Sequence, residues 1–283
     1  MINMNGILLV NKPQGYTSHD VVNVLRRELQ TKRVGHCGTL DPDATGVLVV
    51  CVNKATKLVP FLTSDIKEYI ATLSLGIATD TYDASGKVLE TKKYEPISDD
   101  DIHKTIASFI GKQFQKPPIY SSIKVNGKKL YEYARSGEPV DIPVREIEIF
   151  SIETIRVENH LITFKVLCSK GTYIRSLCVD IANKLGYPGH MSTLERTSSG
   201  NFHITKSYTL QQIQEGNFTM LSVEEALKGF PKYIIDDETI VYHGKVIPSD
   251  IKEMVVIYNK EGKALAIYGP GKDGYLKNIR GLW

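Results

Sequence analysis

Residues 33–50 read RVGHCGTLDPDATGVLVV. The first half is polar and broken by Gly35 and Gly38; the second opens on Asp41-Pro42-Asp43 and runs at once into aliphatic residues. A short apolar run rich in β-branched residues reads as a buried strand, which predicts strand over 47–52 and an aperiodic loop over 31–45. Two glycines let backbone approach a ligand closely, and Pro42 fixes the chain just after a carboxylate. With a buried strand anchoring the far end, Asp41 has a stiff mounting.

Paired acids at this spacing allow more than one chemistry. Asp41-Pro42-Asp43-Ala44-Thr45 fits D-x-D-x-T, in which the first aspartate is a phosphoryl nucleophile working around Mg²⁺. Phosphatases of that kind set the pair beyond the carboxyl end of a buried parallel strand. Here the hydrophobic strand follows the aspartates. Asp-Pro also favours a plain turn, and a turn-forming or solvated role suffices for Asp43.

Working outward, Gly6–Val10 predicts a strand entering a turn at Lys12-Pro13-Gln14-Gly15. Val21, Val22, Leu25 and Leu29 recur at helical spacing, so a helix capped by Ser18 is expected through Gln30. Tyr69–Leu75 alternates as a strand, and Pro96–Ile110 predicts a helix capped near Ser98, with early aspartates suiting its positive end. Ile147–Arg156 and Leu161–Cys168 predict a hairpin about Asn159-His160, and Thr172–Leu185 a helix stopped by Gly186. Helices and strands mix without a βαβ rhythm, so the expected class is α+β: a mixed, largely antiparallel sheet with flanking helices. Texture changes near Gly229-Phe230-Pro231 into short strand-like pieces with glycine turns. The expected domains are therefore 1–230 and a small β-rich 231–283.

The chain has 283 residues, 42% of them hydrophobic and 24% charged, ordinary for a globular protein with a real core. Its longest aliphatic run, Val47–Val52, is far short of a membrane span, and the N-terminus lacks the basic and apolar regions of a signal peptide. Cys37, Cys51, Cys168 and Cys178 form no CxxC pair, and the seven histidines form no HxH or HxxxH pair. Reduced thiols, a cytoplasmic location and no metal are expected. Net charge is only +3, but residues 112–145 carry seven Lys/Arg against three acids, while 58–111 carry five against nine. Segregation of this kind can present one basic face to a polyanion; two ordinary solvated surfaces would give the same count.

Four ordered blocks together resemble the TruB family of tRNA pseudouridine-55 synthases. They are Lys12-Pro13, Gly15 and Thr17-Ser18; Gly35-His36-Cys37-Gly38-Thr39-Leu40-Asp41-Pro42 with Ala44, Gly46-Val47-Leu48 and Ala55-Thr56-Lys57; Tyr69, Leu75-Gly76, Thr79-Asp80-Thr81, Asp83 and Gly86; and Lys170-Gly171-Thr172-Tyr173-Ile174-Arg175 with Leu194 and Arg196. The resemblance spans residues 5–200. It departs from the family at Asn53, where glycine is usual, and at Glu195, a position often basic.

The resemblance implies a pseudouridine-synthase fold, a PUA-like C-terminal module, and isomerisation of one T-loop uridine of tRNA without cofactor, metal or guide RNA. A monomer is expected. Asp41 is implied as the essential carboxylate, attacking the sugar or abstracting a sugar proton. Arg175 is implied as the cation keeping it ionised, Tyr69 and Tyr173 as the active-site tyrosines, and Leu194 as the apolar wall of the uracil pocket. His36 would fill the space left by an extruded base. Lys12, Lys124, Lys128, Lys129 and Arg135 would contact RNA. A tRNA-binding or tRNA-folding protein without turnover is the alternative from another class.

Overall fold

The computed structural model describes residues 4–63, 66–272 and 274–283. In chain order the helices and strands are β1 (Gly6–Lys12), α1 (Ser18–Glu28), β2 (Val34–His36), β3 (Thr45–Val52), α2 (Val59–Leu62), β4 (Ile66–Leu75), β5 (Ile77–Thr79), β6 (Val88–Thr91), α3 (Asp99–Ala107), β7 (Gly111–Gln115), β8 (Lys124–Val125) and β9 (Lys128–Lys129). There follow α4 (Leu130–Ser136), β10 (Arg145–Glu158), β11 (Leu161–Ser169), α5 (Ile174–Lys184), β12 (Gly189–Ser199), β13 (Phe202–His203), α6 (Leu210–Gln214), α7 (Val223–Ala226), β14 (Lys232–Ile234), α8 (Glu238–Tyr242), β15 (Ile247–Pro248), β16 (Val255–Tyr258), β17 (Ala264–Pro270) and β18 (Tyr275–Gly281). No helix among the described residues is long and apolar enough to cross a membrane.

The chain forms two compact units. The first comprises Met1–Pro42, Val47–Thr63 and Asn201–Trp283. In it β1 neighbours β3, and β2 is the antiparallel partner of β3 in the register Val34↔Val52, Gly35↔Cys51, His36↔Val50. β3 is buried from Gly46 onward, as its unbroken aliphatic sequence demands. Its two faces feed two clusters. Leu48, Val50 and Val52 pack with Val21, Val22 and Leu25 of α1, while Val47, Val49 and Cys51 pack with Ile7, Leu9 and, from the far end of the chain, Val256, Tyr258, Ala264 and Ile267. The C-terminal residues form a five-stranded sheet, β14-β16-β17-β18-β15, with a core of its own around Val241, Val255, Leu265, Tyr268 and Leu276. Asn53 takes φ +55°, a conformation asparagine tolerates nearly as glycine does. Its side chain donates to the Met4 carbonyl at 2.8 Å and accepts from Thr31 Oγ1 at 2.6 Å.

The second unit comprises Asp43–Gly46 and Ser64–Gly200. Its sheet runs β12-β4-β11-β10-β7, every neighbouring pair antiparallel. Thr45 and Gly46, the first two residues of β3, pair with Glu195 and Arg196 of β12, and this pairing is parallel. The architecture is the mixed, largely antiparallel α+β arrangement expected. β10 and β11 make the expected hairpin about Asn159, which takes φ +53°.

Two local expectations change. The cap of α1 is Thr17, in a capping box with Asp20, so Ser18 is the first helical residue and free for another use. The loop over 31–45 contains β2, a strand too short to show a period.

Candidate active site

The first unit holds the Asp41 loop, clamped on both sides of the aspartate by the turn between β1 and α1. Before it, the Leu40 N–H donates to Ser18 Oγ at 2.9 Å, and the Ser18 hydroxyl donates to the Leu40 carbonyl at 3.2 Å. After it, the Pro42 carbonyl accepts both the Gly15 N–H and the Lys12 ammonium, each at 2.9 Å. Lys12 also donates to the Pro13 and Tyr16 carbonyls. A buried ammonium is tolerated only when its protons are taken up, and here three backbone oxygens do so. Lys12 is 0% exposed. The expected contact of Lys12 with RNA is therefore corrected: its charge is enclosed, and it braces the loop. Asp41 is half-buried and Asp43 exposed. Upstream, the Cys37 N–H continues the β2–β3 ladder by donating to Val49 at 2.9 Å. His36, half-buried, thus enters the loop from a fixed strand.

The second unit holds Tyr69, Tyr173, Arg175 and Leu194. Tyr69 lies in the middle of β4, between Val166 of β11 and Arg196 of β12, and is buried. Leu194, also buried, lies opposite Ala71; its carbonyl accepts from Thr45 Oγ1 at 3.4 Å. Tyr173 is the N-cap of α5 and Arg175 stands in its first turn. The guanidinium is buried: Nη1 donates to the Thr81 carbonyl at 3.1 Å and faces Asp83 Oδ2 at 3.4 Å, while Nη2 donates to the Tyr120 carbonyl at 3.0 Å.

Asp83 is held in turn. Its Oδ1 accepts from Thr81 Oγ1 at 2.6 Å and from the Ser85 N–H and hydroxyl at 3.1 and 2.6 Å. Its carbonyl accepts from Thr79 Oγ1 at 2.7 Å. Gly86 closes this turn where a Cβ would stand 2.3 Å from Thr81 Oγ1 and 2.5 Å from Asp80 Oδ1. The block Thr79–Gly86 is thus a cradle that aims one carboxylate oxygen at Arg175.

A family profile described as TruB family pseudouridylate synthase, N-terminal domain, matches residues 26–174, and one described as tRNA pseudouridylate synthase B C-terminal domain matches 175–230. The chain belongs to the TruB family. It is a pseudouridine synthase, an intramolecular isomerase. Similar curated proteins include tRNA pseudouridine synthase B of Bacillus cereus, 43% identical over 99% of this chain and 97% of the relative. Another is the enzyme of that name from Oceanobacillus iheyensis, 52% identical over 75% of this chain and 71% of the relative. Among solved structures, a Cbf5-Nop10-Gar1 complex matches with TM-score 0.76 and 26% identity over 98% of this chain and 85% of that one. An H/ACA RNP bound to a substrate RNA containing 2′-deoxyuridine matches with TM-score 0.74 and 25% identity over 98% and 85%. Within this family the D-x-D-x-T resemblance of residues 41–45 has no phosphoryl chemistry to serve. The strand before the aspartates is an antiparallel hairpin partner, unlike the buried parallel strand which that motif needs.

The basic segment forms a small projection. β8 and β9 pair through Asn126-Gly127, both at positive φ, and lead into α4. Lys124 and Arg135 are exposed. Lys129 and Arg135 both lie over the Tyr131 ring at 5.4 Å. Lys128 is paired with Glu138 at 2.9 Å and lies 4.7 Å from the Tyr133 ring centre. Three of the four cations are thus fixed against tyrosines.

The uses of Ser18 and Lys12 and the partner of Asp83 are not legible in the sequence. Nor is the role of Gln115, a buried amide bonded to Tyr173. Ser18, Lys12 and Asp83 each stood inside a recognised block, so the signal was present but its geometry was not. Gln115 carried no local signal.

Proposed function

We propose that this enzyme converts the T-loop uridine at position 55 of tRNA to pseudouridine, with Asp41 as its essential carboxylate and the uridine extruded from the loop. The observation that carries this reading is the double clamp on the Asp41 loop. Leu40 is held by Ser18, and Pro42 by Lys12 and Gly15. Such bracing suits a group that must act within a few tenths of an ångström of the productive geometry. The similar bacterial proteins are named for action on tRNA, and the identity to one of them extends over 99% of the chain. That breadth supports an enzyme working without a guide RNA.

The reaction breaks the C1′–N1 bond, turns the uracil and joins C5 to C1′, with the hydrogen on C5 lost to solvent and N1 taking up a proton. Nothing is oxidised and nothing beyond that proton exchange enters or leaves, so a carboxylate, a cation and aromatic surfaces suffice. Asp41 attacks the sugar or removes a sugar proton. Tyr69 and Tyr173 stack on uracil or carry a proton, Leu194 lines its apolar side, and Arg175 supplies positive charge. His36 occupies the space left by the extruded base, whose unstacking costs about a few kcal/mol. Lys124, Lys128, Lys129 and Arg135 meet phosphates of the T-arm, and residues 231–283 act as a PUA-like RNA-binding module. The enzyme works as a cytoplasmic monomer.

Tritium release from tRNA carrying [5-³H]uridine, with excess EDTA, tests the reading. Wild type is expected to release tritium and Asp41→Asn to release none while still binding tRNA. Undiminished turnover by Asp41→Asn would overturn the role of Asp41. Binding without release by wild type would favour the tRNA-folding alternative.

A further inference from the structure

Gln115 ends β7 with its amide buried, 3% exposed. Both ends of the amide are spent on one residue 58 positions away: Oε1 accepts the Tyr173 N–H at 2.8 Å, and Nε2 donates to the Tyr173 carbonyl at 3.1 Å. Only one orientation of an amide satisfies that pairing. Tyr173 has no side-chain cap to hold the start of α5, and its carbonyl also accepts the helical bond from Leu177 at 3.0 Å. Gln115 therefore does for this helix end what a neighbouring strand would do for a sheet residue.

The residues after Gln115 extend the same attachment. The Lys116 carbonyl accepts from Ser176 Oγ at 2.8 Å, and the Tyr120 carbonyl accepts from Arg175 Nη2 at 3.0 Å. Between them lie Pro117 and Pro118, both buried. They fix φ and bring no N–H that would need a partner. Residues 115–120 are thus a stiff strap tied at three points to Tyr173, Arg175 and Ser176. Four residues further on the chain enters the basic projection at Lys124.

We propose that Gln115 is a positioning residue for uridine isomerisation, setting the placement of Tyr173 directly and of Arg175 through the strap. The inference rests on the reading of Tyr173 and Arg175 as residues that serve the uridine. A buried amide bonded at both ends fixes its partner in distance and in rotation. A shift of about 1 Å at a reacting group can cost about a hundredfold in rate.

The test compares Gln115→Met, which keeps the volume and removes both bonds, with Gln115→Glu. When neutral, the glutamic acid can accept from N–H and donate to the carbonyl as the amide does; when ionised, it can only accept. Single-turnover tritium release at saturating tRNA and tRNA affinity are measured from pH 5.5 to 8.5. Gln115→Met is expected to lose at least tenfold in rate at all pH values, with affinity within twofold of wild type. Gln115→Glu is expected to approach the wild-type rate at the acid end and to fall toward Gln115→Met at the alkaline end. A Gln115→Met rate within twofold of wild type would overturn the proposal. So would a loss confined to tRNA affinity, or a Gln115→Glu deficit that does not change with pH. Tyr173→Phe and Arg175→Lys are run alongside. If both keep full turnover, the underlying roles of those residues fail, whatever Gln115 does.

Discussion

Ser18→Ala is the sharpest probe of the clamp on the Asp41 loop. Ser18 is 2% exposed, and the substitution removes one hydrogen bond of 2.9 Å from the Leu40 N–H and one of 3.2 Å to the Leu40 carbonyl. Leu40 is itself only 4% exposed, so water cannot readily replace the lost acceptor. Leaving a buried N–H unsatisfied costs about 1–3 kcal/mol, and the longer second bond adds about 0.5 kcal/mol. A loss of about 2 kcal/mol corresponds to a fall in Tm of roughly 4–8 °C in a protein of this size class. The loop then gains conformations in which Asp41 is displaced, so the single-turnover rate falls at saturating tRNA while affinity is retained. Thr17→Ala is the control, because it removes the cap of α1 at a cost of about 1 kcal/mol and leaves the Leu40 bonds in place. Thermal unfolding followed by circular dichroism, together with single-turnover tritium release, reads both effects. The reasoning is refuted if Ser18→Ala melts within 1 °C (about a quarter of the smallest shift expected) of wild type, or if Thr17→Ala slows the reaction as much as Ser18→Ala does.

Three further outcomes are expected. Gly46→Ala would put a Cβ 2.2 Å from the Arg196 carbonyl oxygen at a residue with φ +106°, so it should destabilise by about 2–4 kcal/mol, measured by urea denaturation. Asp83→Ala would strip the carboxylate from a buried guanidinium 3.4 Å away, costing about 3 kcal/mol; a rate loss exceeding the loss of tRNA affinity in single-turnover assays would place the damage at Arg175. The four thiols are buried; the hydrogen bond with Cys37 and burial push the Cys51 thiol far up, and burial pushes Cys168 up to about 11 and Cys178 higher still. A thiol-exchange reagent at pH 8 should therefore leave all four unlabelled in the native enzyme and react with all four in denaturant.

What could be read from the sequence depended on how local each cause was. The β3 strand announces itself because every residue from Val47 to Val52 is aliphatic or small and all are buried. β2 could not be seen, since three residues carry no period and their pairing is supplied by β3. β12 is not legible because its buried positions include His190, Arg196, Thr197 and Ser199, polar residues that hide a strand from any hydrophobic pattern. At the candidate site, the family blocks mark Asp41, Tyr69, Tyr173, Arg175 and Leu194 by number, and Pro42 with the strand that follows marks the Asp41 loop as stiffly mounted. The inward turn of Ser18 was hidden because Thr17 and Ser18 are both good capping residues, and only the fold decides which one caps. The enclosure of Lys12 and the bond from Gln115 to Tyr173 are products of tertiary structure, spanning 30 and 58 positions.

The first unit is discontinuous in sequence: its N-terminal strands share a cluster with Val256, Tyr258, Ala264 and Ile267. A ribosome makes those late residues last. The stretch 64–200 is almost the whole of the second unit and emerges as one continuous piece. It can fold during synthesis, while Ile7, Leu9, Val47 and Val49 await partners that do not yet exist. The period between the making of Val49 and of Ile267 is therefore when the nascent enzyme most needs protection from aggregation. A C-terminal truncation would make that state permanent, so the RNA-binding role proposed for residues 231–283 is better probed by surface substitution than by deletion.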